Sequence, residues 1–162
     1  MITLPAGKRD IWPGFSLSIE RPLRFEVGES YFLKGANGSG KSSFIHQILL
    51  PELEGRTDLY VLCLQQQMHL QLYALRAQAA IFKPGFAIRS EEDVWRYLWQ
   101  DLAARQDDLP VYVIADEAYN LDIPKDMQRP ICLIYSSHRY QLEEAQIVEF
   151  VQNSPQETVI YG

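Results

Sequence analysis

Apolar residues along this chain fall into two kinds of pattern. Phe15, Leu17 and Ile19 alternate with polar positions, and so do Leu23, Phe25 and Val27. Period-two alternation predicts two half-buried strands, and their closeness in sequence predicts antiparallel neighbours. Elsewhere the apolar runs are short and continuous, at 31–33, 59–64, 111–115 and 131–135. Runs without a polar face predict strands buried on both sides. Residues 42–50 predict a helix stopped by Pro51, and 68–82 a second helix broken by Lys83-Pro84-Gly85. Ser90, followed by Glu91, Glu92 and Asp93, predicts an N-cap and an acidic first turn. That third helix runs on through Val94, Tyr97, Leu98 and Leu102. Residues 145–151 and 158–161 predict a closing hairpin. Strands alternating with helices predict an α/β fold, a mostly parallel sheet flanked by helices, with the N-terminal antiparallel strands added to it.

Composition narrows the picture. At 162 residues, with 47% hydrophobic and 22% charged, the chain reads as one folded domain over 1–162. Fifteen basic against twenty-one acidic residues leave a net charge of −6. That balance argues against sequence-independent binding to a nucleic-acid backbone, which needs a Lys/Arg-rich face. No apolar run approaches the roughly 18 residues that cross a bilayer. Residues 1–14 contain Lys8, Arg9, Asp10 and two prolines, so neither a membrane span nor a secretory leader is expected. Cys63 and Cys132 lie inside apolar runs and read as buried reduced thiols, which makes a cytoplasmic setting the expectation.

One loop carries a specific chemistry. Gly35-Ala36-Asn37-Gly38-Ser39-Gly40-Lys41-Ser42, with Ser43 behind it, fits the phosphate-binding pattern G-x-x-x-x-G-K-[ST]. Glycines let the backbone turn tightly and aim N–H groups at an anion. The helix after the loop turns its positive end to the same phosphates. Lys41 supplies a compact charge for the β- and γ-phosphates, and the Ser42 hydroxyl a ligand for Mg²⁺. A chance match in a chain of this size is on the order of one in two hundred. The expected fold is accordingly an α/β P-loop NTPase. The apolar run 111–115 then ends in Asp116-Glu117. A doubly buried strand delivers its C-terminal end to the crevice where ligands bind. Asp116 is expected to hold Mg²⁺ through water, and Glu117 to orient or deprotonate the water that attacks the γ-phosphate.

The fuller set of residues resembles the ABC (ATP-binding cassette) ATPase family. Asn37-Gly38 ahead of Ser39-Gly40-Lys41-Ser42 has the form common there, and two antiparallel strands lead into the loop. The resemblance implies that Gln65 ends its strand against Mg²⁺ and the attacking water, with Gln66 and Gln67 as alternative registers. It implies that Ala118-Tyr119-Asn120-Leu121-Asp122 is a D-loop, one residue shorter than usual and with Ala118 in place of a common proline. It implies that His138, after Ser136-Ser137, contacts the γ-phosphate. It implies that Trp12, 29 positions before Lys41, stacks on adenine, with Phe15 or Tyr31 as alternatives. His46 and His69 have no such context and read as ordinary surface or structural residues.

Two features depart from the family. Only 75 positions separate Lys41 from Asp116, so the helical subdomain is cut down to about 68–105. The LSGGQ signature is absent, and Arg89-Ser90-Glu91-Glu92-Asp93 occupies roughly its place. Carboxylates there are unfavourable beside a γ-phosphate, and a helix-capping role for Ser90 is the simpler reading. The expected function is Mg-ATP binding with hydrolysis by in-line water attack, coupled to a conformational or assembly change. The alternative is an ATP-binding regulatory switch or accessory subunit that turns over little and needs a partner to complete the site. A nucleotide-dependent homodimer or heterodimer and another protein partner stay open on sequence grounds. So does docking onto a membrane subunit.

Overall fold

The computed structural model describes residues 1–64, 68–83, 85, 87–118, 124 and 127–162, and of 68–74 and 91 the backbone alone. Among the described residues ten strands form: β1 (Ile2–Leu4), β2 (Gly7–Trp12), β3 (Phe15–Ile19), β4 (Leu23–Phe25), β5 (Ser30–Lys34), β6 (Tyr60–Leu64), β7 (Val111–Ala115), β8 (Ile131–Tyr135), β9 (Gln146–Ser154) and β10 (Glu157–Tyr161). Eight of them make one mixed sheet in the order β2-β3-β10-β9-β5-β8-β7-β6, and β1 pairs with β4 as a separate ribbon. The helical segments are α1 (Lys41–Phe44), a π-helical stretch Ile45–Leu49, α2 (Leu50–Leu53), α3 (Met68–Phe82) and α4 (Glu91–Ala104).

This architecture corrects the expected one. A helix-flanked, mostly parallel P-loop NTPase fold does not describe it: the molecule is β-rich, with few and mostly short helical segments. Helices do not alternate with strands to the end of the chain. Among the described residues the connections from β7 to β8 and from β8 to β9 hold no helix. Half of the large sheet, β2, β3, β10 and β9, is organised by hairpins: β2 runs antiparallel to β3, and β9 to β10. The two alternating segments are not neighbours either. β3 lies between β2 and β10, whereas β4 pairs with β1.

The continuous apolar runs do form parallel partners. β5 pairs with β8, β8 with β7 and β7 with β6, all parallel, and β5 also pairs parallel with β9. Every residue of β7 and β8 is buried. β6 is the exception to the doubly buried expectation. It stands at the end of the strand order and is mostly half-buried, because only one neighbour covers it.

Period two divides the core. Tyr112, Ile114, Cys132, Ile134, Tyr31 and Leu33 face one side, with Phe44, Ile45 and Leu49 packed on them. Val111, Val113, Ala115, Leu133, Tyr135 and Phe32 face the other, against Val94, Trp95, Trp99 and Leu102 of α4. Pro51 does not end its helix as expected. It sits at the start of α2, and the chain stays helical to Leu53. A proline removes one N–H and crowds the carbonyl four residues back, and the widened π-turn at Ile45–Leu49 absorbs both. No helix among the described residues is long and apolar enough to cross a membrane.

Burial pushes both thiols up, Cys63 to about 11 and Cys132 to about 12. A thiolate is the reactive form. At pH 8 the native protein should therefore react with iodoacetamide at least about a hundredfold more slowly than the urea-unfolded chain, as mass spectrometry of the alkylated protein reads directly.

Candidate functional site

Register aligns the ends of three strands. Tyr135 lies level with Ala115 on one side and with Phe32 on the other. The segments after these strands therefore emerge at one edge of the sheet: the loop 35–42 after β5, Asp116 and Glu117 after β7, Ser136 to His138 after β8.

Two glycines of the loop are closely packed. Gly40 takes φ 97°, and a Cβ there would meet Leu17 Cδ2 at 2.9 Å and Phe15 Cζ at 3.0 Å. At Gly35 a Cβ would meet Ser39 Oγ at 2.7 Å and Phe150 Cβ at 2.8 Å. Gly35 therefore requires glycine on spatial grounds, and Gly40 on conformational ones. Ala36, Asn37 and Gly38 are exposed at the loop's outer rim, and Ser42 and Ser43 are half-buried. Lys41 folds back over the loop and donates to the carbonyls of Gly35 and, at 3.1 Å, Ala36. Partial burial lowers its pKa, while Glu117 and Asp116 nearby act against that fall. Ser39 is buried, and its Oγ has no hydrogen-bond partner among the described residues.

Across from the loop, Ser136 joins two strands. Its buried hydroxyl donates to Asp116 Oδ1 at 3.1 Å and accepts from the Glu117 N–H at 2.9 Å. Backbone bonds tie the same level: Ser136 N to Ala115 O at 3.0 Å, and Ala118 N to Ser136 O at 2.8 Å. Glu117 is held at φ 55°, left-handed backbone that a non-glycine residue adopts only under constraint. The turn aims its carboxylate at His138, with Oε1 and Nε2 2.9 Å apart. An ionised carboxylate only accepts, so the imidazole Nε2–H donates. Ser137 Oγ donates to Ala118 O at 2.6 Å and accepts from the N–H of Tyr140 at 3.1 Å, which fixes the turn that carries His138.

Two members of this cluster are not evident from sequence. Ser136 reads there only as a small polar neighbour of His138. His46, which reads as ordinary, brings Nε2 to 3.6 Å from Asp116 Oδ2. Its signal is its spacing: four positions after Ser42, it shares a helix face with the loop's last residue. Trp12 is 51% exposed and stacks on Phe15 at 4.7 Å between ring centroids. Phe15 packs against Gly40, so an open indole face stands one ring away from the loop. Gln65, with Gln66 and Gln67, lies outside the described residues, as does Asp122 with most of the expected D-loop. Ser90 is the N-cap of α4: its side chain accepts from Asp93 N at 3.3 Å, while Asp93 Oδ2 accepts from Arg89 N at 2.9 Å.

The donors suit a phosphate and a hard cation. The loop is a glycine-rich turn, and Lys41 is a cation parked on its carbonyls. Ser42 hydroxyl and Asp116 carboxylate are the oxygen ligands that Mg²⁺ accepts. The residues present fit the group that the resemblance implies.

No family model and no curated protein matches the chain. Among solved structures, a chain in a model of ribosome-bound archaeal Pelota and ABCE1 is similar, with a TM-score of 0.57 and 19% identity. The match covers 99% of this chain and 34% of that one, so the chain spans about a third of its length. At this identity the likeness is one of fold alone.

Ser136→Ala removes both bonds of the hydroxyl and leaves the buried Asp116 carboxylate less compensated. The expected loss of stability is about 1–3 kcal/mol, measured as a lower urea midpoint with unchanged slope.

Proposed function

We propose that this chain binds Mg-ATP on the loop 35–42 and hydrolyses it by in-line attack of water on the γ-phosphate, in the manner of a reduced ABC-type site. The observation that carries the reading is the shared edge: the loop, Asp116, Glu117 and His138 all leave the sheet on one side, and Glu117 is already bonded to His138.

Backbone N–H groups of the loop donate to the phosphate chain, and Lys41 moves from the Gly35 and Ala36 carbonyls to the β- and γ-phosphates. That exchange replaces neutral acceptors by anionic ones, which favours the ammonium that burial disfavours. Ser42 and Asp116 would hold Mg²⁺, and its chemistry is to neutralise charge on the phosphate oxygens. Ser136 and His46 keep the Asp116 carboxylate in one orientation. Glu117, oriented by the Ser136 hydroxyl and by His138, accepts the proton of the attacking water. His138 donates toward the γ-phosphate once the water has taken its place beside Glu117. Trp12 offers its open face to the adenine. Gln65 remains the proposed second contact of the cation and the water. The same reading assigns the protein to the cytosol, on the strength of Mg-ATP as substrate and two burial-protected thiols.

A second reading has one observation in its favour. Ser90 caps α4 and the glycine-rich signature is missing, so a partner of another kind would complete the site of an ATP-dependent switch that turns over slowly.

Steady-state phosphate release separates the two. Wild type should release phosphate from Mg-ATP, and Glu117→Gln should fall by about a hundredfold or more while still binding ATP. Binding without release in the wild type would overturn the stand-alone ATPase and favour the switch. Lys41→Met should abolish binding of a fluorescent ATP analogue without lowering the thermal midpoint of the unliganded protein, because it removes a charge that burial disfavours.

A further inference from the structure

The hairpin of β2 and β3 turns through Pro13-Gly14, with Gly14 at φ 90°. Its strands run in plain register from Gly7 opposite Ile19 to Asp10 opposite Ser16. Continued, that register would set Ile11 against Phe15. It slips by one residue instead, and Trp12 takes the place opposite Phe15. A bulge of this kind re-aims a side chain. Here it carries the indole onto the Phe15 ring, with centroids 4.7 Å apart and planes 22° from parallel.

The two rings differ in what surrounds them. Phe15 is 6% exposed, and its edge fills the space beside Gly40: a Cβ on Gly40 would lie 3.0 Å from Cζ and 3.3 Å from Cε1. Phe15 therefore has no face to offer a ligand. Trp12 is 51% exposed, with one face on Phe15 and the other open. An indole held upright on a buried ring keeps a large apolar face in water, which is unfavourable until something flat covers it. Gly40 closes the loop 35–42 ahead of α1. Gly40, Phe15 and Trp12 thus form one packed row, which fixes the open face relative to the turn that holds the phosphates on the ATP reading.

We propose that Phe15 is a positioning residue for base recognition: it holds the Trp12 ring in one plane against the Gly40 turn, so that the chain takes purine nucleoside triphosphates in preference to a bare phosphate chain. The proposal rests on the ATP reading and adds to it a residue that touches no ligand. A stacking face reads ring area, so a purine gains more from it than a pyrimidine.

Calorimetric titration of the whole chain with the Mg²⁺ complexes of ATP, CTP and inorganic triphosphate tests it. Stacking of one base is worth about tenfold in affinity. Wild type should bind ATP about tenfold more tightly than triphosphate, with CTP between them. Phe15→Leu keeps an apolar filler beside Gly40 and removes the ring. It should lose most of ATP's advantage over triphosphate and so approach Trp12→Ala. Phe15→Met replaces it if the thermal midpoint establishes that Phe15→Leu does not fold. Tryptophan emission gives a readout that packing alone does not move. Trp95 and Trp99 are 2% and 3% exposed, so acrylamide quenching reports on Trp12. ATP should shield the wild type, triphosphate should not, and the Phe15 variant should be shielded less. An unchanged ratio of ATP to triphosphate affinity in the folded Phe15 variant overturns the proposal. So does a wild type in which ATP leaves the quenching unaltered, or in which triphosphate binds as tightly as ATP. Those results leave phosphate binding at the loop standing. A wild type that binds neither ATP nor triphosphate overturns the ATP reading itself, and the proposal with it.

Discussion

Everything at the candidate site depends on three strands with little or no polar face. β5 is apolar through its centre, and β7 and β8 are buried at every position. Such strands can carry chemistry only at their tips. Because they are parallel and in register, their C-terminal tips fall on one edge and their N-terminal tips on the other. The loop, the two acids and the serine-histidine turn are neighbours for that reason, although about a hundred residues separate the first from the last.

Much of this was legible in the chain, and the reason is that it rests on short-range rules. The loop motif reads from glycine spacing, and the structure adds why Gly35 has no room for a side chain and why Gly40, at a positive φ, is a glycine. Ser90 reads as a cap because capping is local. The failures are non-local. β6 has the same apolar run as β7, and nothing in its sequence says that it stands at the sheet's edge. β3 and β4 are adjacent in sequence, but β10 competes for β3 and wins the pairing. The α/β expectation failed for the same cause: the closing hairpin, terminal in sequence, becomes the middle of a continuous mixed sheet. Pro51 misled because a stop rule takes no account of a π-turn upstream.

The cluster is also where the fold gives up stability. Glu117 sits at a strained φ, Lys41 is partly desolvated, Ser39 leaves a hydroxyl unpaired among the described residues and Asp116 buries a carboxylate. Each departs from what packing alone favours, and all are within one loop or one strand end of each other. Strain gathered in this way is characteristic of a site kept for a ligand. Ser136 is what makes it tolerable: one hydroxyl answers both the buried Asp116 and the turned backbone of Glu117.

Ser90 bears on how such a site could be completed. Its hydroxyl is engaged with the Asp93 N–H, and the Asp93 carboxylate with the Arg89 N–H. To reach a phosphate on a second copy, this segment would have to open both bonds, uncap α4 and bring Glu92 and Asp93 toward an anion. Loss of a cap costs about 1 kcal/mol, and the approach of like charges adds to it. The first turn of α4 is therefore poorly suited to complete a neighbour's site. On the ATP reading, the water is activated by what one chain already holds together, Glu117 against His138, or the missing contact comes from a protein of different sequence.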